Sequence, residues 1–336
     1  MKERQLAICD KDELYLERFQ TYLLKKRLAG FEILAFSTVR QAVAASREEG
    51  FEILLVGENT YDTDVINVKT VKTFILKENG LSGIKGYTFI SKYQSMEAVI
   101  GQVLEELAID EGCGCAAIGS GVKARLTGFY SPDRHAGQSI AALCAAELLA
   151  DAGKKVLYIS LSPFSGFEEL FGTKYEADLT DLVYFALKHP DKLFYKLEAV
   201  KRTAGGADYI PPALDYADLL DISEREWQDI LDALMLEGEY TDIVLDLTEC
   251  CRGFYHMLDR SDKLYILSDT QGERSKAVLN QFQNLLLSKE YGRIIEKSRV
   301  FNLCNGWEGC ASDIGAMAIT GLGEYMKGVM SDDGGQ

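Results

Sequence analysis

The sequence has little of what a membrane or secreted protein needs. No uninterrupted apolar run in its 336 residues approaches the roughly 20 residues that a membrane-spanning helix requires. The first residues, MKERQLAICDKDE, are polar and then acidic, unlike the apolar centre of a secretory signal. We therefore predict a cytoplasmic protein that reaches a membrane surface only through partners.

Basic charge is also scarce. The chain has 36 lysines and arginines against 52 acidic residues, which gives a formal net charge of −16 at pH 7. Such a chain repels phosphate backbones, so we predict no nucleic-acid partner. The same charge disfavours direct electrostatic binding to anionic lipid.

The eight cysteines lack the paired spacing of metal sites. No CxxC pair occurs; the closest pairs are Cys113 with Cys115 and the adjacent Cys250 and Cys251. Structural zinc sites use two closely spaced pairs of ligands. We therefore predict reduced cytosolic thiols and no metal site.

Periodicity predicts two α/β domains, which suits a chain too long for one ordinary domain. Residues 1–108 alternate short apolar runs with helical patterns, and a second such pattern fills 126–330. The glycine-rich stretch 109–125 is predicted to be a linker, and 331–336 a disordered tail. The predicted fold class is α/β with two doubly wound, mainly parallel sheets. The predicted strands are 4–9, 31–36, 51–56, 72–76, 86–90, 124–130, 154–161, 241–247, 263–268 and 298–304.

The first domain resembles the receiver domains of response regulators. Asp10 and Asp12 in ICDKDE stand where such domains have an acidic pair, and Lys92 in FISKYQ stands at their lysine. The phosphate-accepting aspartate is replaced by Gly57 in FEILLVGEN. Glycine cannot be phosphorylated, and the neighbouring Glu58 points elsewhere at a strand end.

We therefore predict a pseudo-receiver that makes protein contacts and takes no part in phosphorelay. Its predicted docking or dimer surface ends in the helix at 95–108. A second interpretation of Asp10 and Asp12 is a favourable acidic cap at a helix N-terminus.

Residues 126–330 resemble the ParA/MinD class of P-loop ATPases. That class has the motif KGGxGK[ST] after a strand, and SPDRHAGQS occupies the position here. Only Gly137 and Ser139 are kept. Gln138 stands at the phosphate-binding lysine and Asp133 at the signature lysine.

Two further substitutions affect the backbone of this turn, because Arg134 and His135 replace the two glycines of the motif. Glycine allows the backbone to approach phosphates closely. Loss of lysine charge beside a triphosphate costs several kcal/mol even at an effective dielectric of ~20. We therefore expect no resident cofactor, with ATP and Mg²⁺ bound weakly at most.

Other positions complete a vestigial nucleotide site. Asp246 in TDIVLDLTE follows an apolar run, where it is either a Mg²⁺ ligand or a strand-end cap; Asn302 in VFNLCN stands where the class often contacts adenine. Ser160 and Ser162 occupy the positions of the water-orienting aspartates. Hydrolysis needs both phosphate stabilisation and nucleophile positioning, so we predict no ATPase activity and no catalytic residue. The candidate cofactor-binding residues are Gly137, Gln138, Ser139, Asp246 and Asn302.

A receiver-like domain ahead of a ParA/MinD-like domain resembles the TadZ/CpaE family. The segment DLTDLVYFALKH resembles a helical insert of that family, and LDIS at 220–223 matches its helix cap, with Ser223 and Glu226 forming a capping box. The resemblance implies a homodimeric, pole-localising factor that recruits secretion machinery during assembly of Tad (Flp) pili.

Three functions follow as alternatives. The first is a noncatalytic localisation and assembly scaffold with a degenerate nucleotide site. The second is a ParA/MinD-type ATP-binding ATPase switch, and the third is a pseudo-receiver signalling module. The terminal helix at 312–329 has acidic residues on its polar face, so we expect it to pack on its domain rather than bind membrane.

Overall fold

The computed structural model describes residues 4–26, 31–78, 86–110, 123–237, 239–303 and 314–331. The described residues up to Asp110, together with Asp191–Ala199, form one compact unit, and the remainder form a second. Most of the predicted linker and all but the first residue of the predicted tail lie outside the described residues. Within the described residues, no helix is long and apolar enough to cross a membrane.

The first unit is built on a five-stranded sheet of order β2-β1-β3-β4-β5 in which every pair is parallel. Each predicted strand is present within two residues of its expected ends. The elements are β1 (Arg4–Cys9), α1 (Glu13–Lys26), β2 (Phe31–Phe36), α2 (Val39–Ala45), β3 (Phe51–Gly57), β4 (Thr70–Lys77), β5 (Thr88–Ser91) and α3 (Met96–Ile109).

Local signals set the helix ends in this unit. A capping box joins Thr38 and Gln41 at the start of α2, and the Ser95 hydroxyl accepts the Ala98 N–H at the start of α3. Between β3 and β4 the chain forms two 3-10 turns, Glu58–Thr60 and Thr63–Asn67, in place of a full helix.

The remaining elements belong to the second unit, except for most of α7 (Leu193–Val200). They are β6 (Arg125–Tyr130), α4 (Gln138–Asp151), β7 (Val156–Ser160), α5 (Phe167–Phe171), α6 (Leu179–Lys188), α7 (Leu193–Val200), β8 (Arg202–Ala204), β9 (Ala207–Ile210), α8 (Tyr216–Asp221), α9 (Glu224–Glu237), β10 (Asp242–Asp246), α10 (Phe254–Arg260), β11 (Lys263–Leu267), α11 (Glu273–Ser288), α12 (Gly292–Lys297), β12 (Ser298–Phe301), α13 (Ile314–Met317) and α14 (Gly321–Ser331). Most of α7 belongs to the first unit, where Phe194 lies beside Phe31 and beneath the Arg4 guanidinium.

The seven strands of the second unit have the order β12-β11-β6-β10-β7-β9-β8. Only β8 and β9 pair antiparallel, so the sheet is mainly parallel, as predicted. The turn between them needs a glycine, because Gly205 has a φ of +60° and a Cβ there would lie 2.3 Å from Glu147. The strand β8 was not predicted from the sequence.

The central helix of this unit is α4, whose residues 141–148 are all buried. Its apolar surface shares one core cluster with Leu322, Met326 and Val329 of α14. The expected packing of the terminal helix on its domain is therefore confirmed. The C-terminal ends of β6, β7 and β10 lie side by side in parallel register, at the edge of the sheet where ligands bind in such folds.

Candidate functional site

The P-loop-like turn joins the end of β6 to the start of α4. The Ser131 hydroxyl donates to Asp133 at 2.7 Å and accepts the His135 N–H at 2.9 Å. Arg134 has a left-handed φ of +56°, a conformation that glycine adopts without strain and that costs other residues energy. The structure thus keeps the backbone of a glycine motif at a position that now carries an arginine.

Asp133 fixes the turn to the loop that follows β11. Its carboxylate accepts hydrogen bonds from the Ser268 hydroxyl and the Asp269 N–H, each at 3.3 Å. Burial by itself would raise the pKa of Asp133, but hydrogen bonds from Ser275, Ser131 and the Asp269 backbone lower it overall. A negative charge therefore stands where the resemblance places the signature lysine.

The first backbone donors of α4 are satisfied inside the turn. The Gly137 N–H donates to His135 Nδ1 at 3.0 Å, and the Gln138 N–H donates to the His135 carbonyl at 3.1 Å. A P-loop presents such N–H groups to phosphate oxygens. Here the side chain and carbonyl of His135 accept them. Gly137 is also packed closely, since a Cβ there would lie 2.9 Å from Leu303.

Asp246, at the end of β10, is the centre of a buried hydrogen-bond network. Gln138 donates its amide to Asp246 Oδ1 at 2.5 Å and to the Leu247 carbonyl at 2.8 Å. Asp246 Oδ2 accepts three hydroxyls: Ser139 at 2.6 Å, and Tyr158 and Ser160 at 3.1 Å each. The network therefore occupies both oxygens of the carboxylate.

Burial dominates the electrostatics of this network. Asp246 is fully buried, and this raises its pKa although the four hydrogen bonds act in the opposite direction. Tyr158 is also fully buried, and desolvation followed by the Asp246 charge raises the pKa of its hydroxyl. Both groups are held inside the domain rather than displayed to a ligand.

A cleft of about 380 Å³ lies above this network at the carboxyl edge of the sheet. Of the described residues that line it, Arg134 alone carries a permanent positive charge, and its guanidinium lies 2.7 Å from the Glu249 carboxylate. Both partners are exposed, so the pair adds little stability. The lining residues are Tyr130, Ser131, Arg134, His135, Ala136, Gln138, Ser139, Ser162, Pro163, Phe164, Leu247, Thr248, Glu249 and Cys250.

These side chains do not fit a magnesium triphosphate. The position of the phosphate-binding lysine holds the Gln138 amide, which is committed to Asp246 and Leu247. The one cleft arginine is paired with Glu249. Phosphate sites rely on free N–H donors together with uncompensated positive charge, and this turn offers neither in the usual amount.

The structure brings together four of the five predicted site residues. Gly137, Gln138 and Ser139 lie at the start of α4, and the last two contact Asp246. Asn302 instead lies beside Asp269, to which its amide donates at 3.4 Å.

Sequence reasoning missed Tyr158 and Glu249. Tyr158 could have been found, because it precedes Ser160 by two residues on the same strand and so faces the same side of the sheet. Glu249 ends the quoted stretch TDIVLDLTE, three residues after Asp246, but the sequence offered no reason to pair it with Arg134.

The first unit contains a second site built from buried charges. The Lys92 ammonium lies 2.7 Å from Asp10 Oδ2 and 2.7 Å from Glu78 Oε1, with Asp10 and Lys92 almost fully buried. Burial alone would lower the pKa of Lys92, but its bonds to Asp10 and Glu78 raise it overall. We call Asp10, Glu78 and Lys92 the ion triad.

The ion triad leaves no room for a phosphate-accepting side chain. A Cβ on Gly57 would lie 2.3 Å from Asp10 Oδ2. Glu58 turns away and accepts the Glu78 N–H at 2.7 Å. Asp12 accepts the Tyr15 N–H at 3.0 Å, so the helix-cap interpretation holds for Asp12 but not for Asp10.

Within the described ranges, no group of three or more histidine, cysteine, aspartate or glutamate side chains is placed to hold a metal ion. Among the described residues, Cys9, Cys144, Cys250 and Cys251 form no disulfide. The other four cysteines, including Cys113 and Cys115, lie outside the described residues.

Comparison with known proteins identifies the first domain. Residues 1–108 match the family described as TadZ-like, receiver domain. The receiver part of the predicted TadZ/CpaE-like resemblance is thereby confirmed. No curated protein matches the chain.

Several solved structures are similar to the chain at low sequence identity. A ParA family ATPase from Chlorobium tepidum TLS is 21% identical over 57% of this chain and 80% of its own, with a TM-score of 0.45. Apo McdA from Cyanthece is 13% identical over 63% of this chain and 100% of its own, with a TM-score of 0.45. The MinC:MinD cell division protein complex from Aquifex aeolicus is 17% identical over 62% of this chain and 78% of its own, with a TM-score of 0.39.

Proposed function

We propose that the chain, which joins a TadZ-like receiver domain to a second α/β unit with a ParA/MinD-like P-loop architecture, is a noncatalytic localisation and assembly scaffold. In this proposal it serves a Tad (Flp) type pilus or a related secretion system. It acts in the cytoplasm as a homodimer, and its partners recruit it to the cell pole or to the inner face of the membrane.

One observation carries the noncatalytic part of this proposal. The carboxylate of Asp246 is fully buried and accepts hydrogen bonds from Gln138, Ser139, Tyr158 and Ser160. A Mg²⁺ ion at this position would have to displace donors that the fold itself supplies, without a lysine to hold the phosphates. The geometry supports a domain that keeps the P-loop architecture for packing and for protein contacts.

Calorimetric titration of the full chain with ATP and Mg²⁺ tests the proposal. We expect no binding tighter than about 1 mM. The matched control is the double variant Ser139→Ala with Asp246→Asn, which should give the same baseline heat as the wild type. Micromolar binding by the wild type that disappears in the double variant, or steady phosphate release, would overturn it.

The pilus part needs a separate readout in the native host. Deletion of the gene should remove surface pili, and both the wild-type chain and Asp246→Asn should restore them equally. Normal piliation of the deletion strain would contradict the pilus assignment and leave the noncatalytic assignment standing.

The competing function is an ATP-binding switch, and one observation favours it. A cleft of about 380 Å³ remains at the start of α4, with the Ser139 side chain among its lining residues. The calorimetric titration decides between the two functions.

A further inference from the structure

A groove lies on the helical insert of the second unit, between α6 and the α8–α9 connection. One wall comes from α6, where Val183, Tyr184 and Leu187 share a face at helical spacing. Tyr184 is 67% exposed and Leu187 36% exposed. The groove measures about 280 Å³ and shares no lining residue with the cleft above Asp246.

The opposite wall is acidic. Asp218, Asp221 and Glu226 line it together with the apolar Ile222, and no lysine or arginine is among the described lining residues. Asp218 and Asp221 are exposed on α8. Hydrogen bonds from the Ser223 hydroxyl and N–H lower the pKa of Glu226, which keeps its carboxylate ionised at neutral pH.

The groove therefore pairs an apolar stripe with a row of carboxylates. We propose that it is a docking site for a cationic amphipathic helix of a protein partner. Apolar side chains of that helix would contact Tyr184 and Leu187, whereas Val183 is only 3% exposed. Its lysines or arginines would lie against Asp218, Asp221 and Glu226.

Charge complementarity selects this occupant over others. Anionic lipid and nucleic acid would be repelled by the three carboxylates and by a chain of net charge −16. The groove volume of about 280 Å³ is slightly smaller than typical small-molecule pockets, which span ~300–1,000 Å³. Helices in grooves bind through a few anchors at positions i, i+3, i+4 and i+7, which suits a groove of this size.

Fluorescence anisotropy with a labelled synthetic peptide tests the proposal on the full chain. The probe is an amphipathic leucine–lysine helix of about 18 residues, long enough to form a helix alone. Control peptides have the same composition in scrambled order, or glutamate in place of every lysine. We expect the leucine–lysine helix to bind at least about tenfold more tightly than either control.

Two pairs of variants locate the binding. The first pair, Asp218→Asn and Asp221→Asn, removes charge from the acidic wall. The second pair, Tyr184→Ser and Leu187→Ser, makes the apolar wall on α6 polar. Each pair should weaken peptide binding about tenfold. The matched control, Asp151→Asn with Glu296→Gln, removes the same charge from two exposed helix positions elsewhere in the unit and should leave affinity unchanged. Unchanged urea midpoints would show that all variants fold.

The proposal is overturned if the wild type does not bind the leucine–lysine helix. It is equally overturned if the scrambled peptide binds as well, or if the control variant loses as much affinity as the groove variants. None of these results bears on ATP binding, so failure here is distinct from failure of the scaffold proposal.

Discussion

Asp246 offers the sharpest test of how the vestigial site contributes to the fold. In Asp246→Ala the hydroxyls of Ser139, Tyr158 and Ser160 lose their acceptor, while Gln138 keeps the Leu247 carbonyl. Buried donors without partners cost about 1–3 kcal/mol each. Loss of the buried carboxylate offsets part of that cost, so we expect the free energy of unfolding to fall by about 3 kcal/mol.

Asp246→Asn should behave differently. The amide keeps the shape and one acceptor oxygen, and two of the three hydroxyls can rotate to accept from the two N–H groups of its nitrogen. Because burial raises the pKa of Asp246, the charged form is the less favourable one in the folded protein. We therefore expect the free energy of unfolding of Asp246→Asn at pH 8 to be higher than that of the wild type or at most about 1 kcal/mol lower.

The pH dependence has a defined sign. The folded state binds a proton at Asp246 at higher pH than the unfolded state, whose carboxyl has the ordinary value near 3.8. The wild type should therefore gain stability relative to Asp246→Asn as the pH falls through the raised pKa toward 3.8. Because the Asn variant keeps every other titrating group, its pH dependence of stability can be subtracted from that of the wild type, which leaves the contribution of Asp246.

Urea unfolding followed by tryptophan emission is the assay. Trp227 is buried in the second unit, so its emission reports the unit that contains Asp246. Equal stability of the Ala and Asn variants would refute the network argument. A wild-type deficit relative to Asn that grows as the pH falls would refute the electrostatic argument.

Two further predictions concern the turn and the first unit. Lys92→Met removes the cation of the ion triad and leaves Asp10 and Glu78 uncompensated. We therefore expect the free energy of unfolding, measured by chemical unfolding and circular dichroism, to fall by about 3–5 kcal/mol. The triple variant with Asp10→Asn and Glu78→Gln should recover most of this loss, and no recovery would contradict a charge-based cause. Arg134→Gly should be about 1 kcal/mol more stable than Arg134→Ala. Both variants lose the ion pair with Glu249, but only alanine keeps a Cβ at a φ of +56°. Equal unfolding midpoints would show that this φ is unstrained.

The fold was predictable where side-chain patterns report burial directly. The parallel strands of both sheets are apolar runs such as FEILLV and DIVLD, bounded by polar residues, and their positions follow from the sequence. The strand β8 was missed because it is three residues long and depends on the turn at Gly205. Its pairing with β9 is a tertiary effect rather than a local propensity.

The candidate site was predictable in its members but not in its bonding. Gln138, Ser139 and Asp246 could be aligned with a motif, and their proximity followed from the parallel strand ends. The sequence did not show that Gln138 donates to Asp246, since an amide at that position could equally face the cleft. Nor did it show that Lys92 bridges two carboxylates, because Glu78 belongs to no receiver motif.

The two units treat a buried strand-end carboxylate in physically similar ways. In each, the carboxylate at the end of a central strand is kept and buried: Asp10 after β1 and Asp246 in β10. In each, the chain now supplies the partners that a bound cation would otherwise provide, Lys92 for Asp10 and Gln138 with three hydroxyls for Asp246. A buried carboxylate without partners is costly, so loss of ligand binding leaves two outcomes, removal of the acid or internal compensation. Both units show internal compensation, which supports the proposed noncatalytic role.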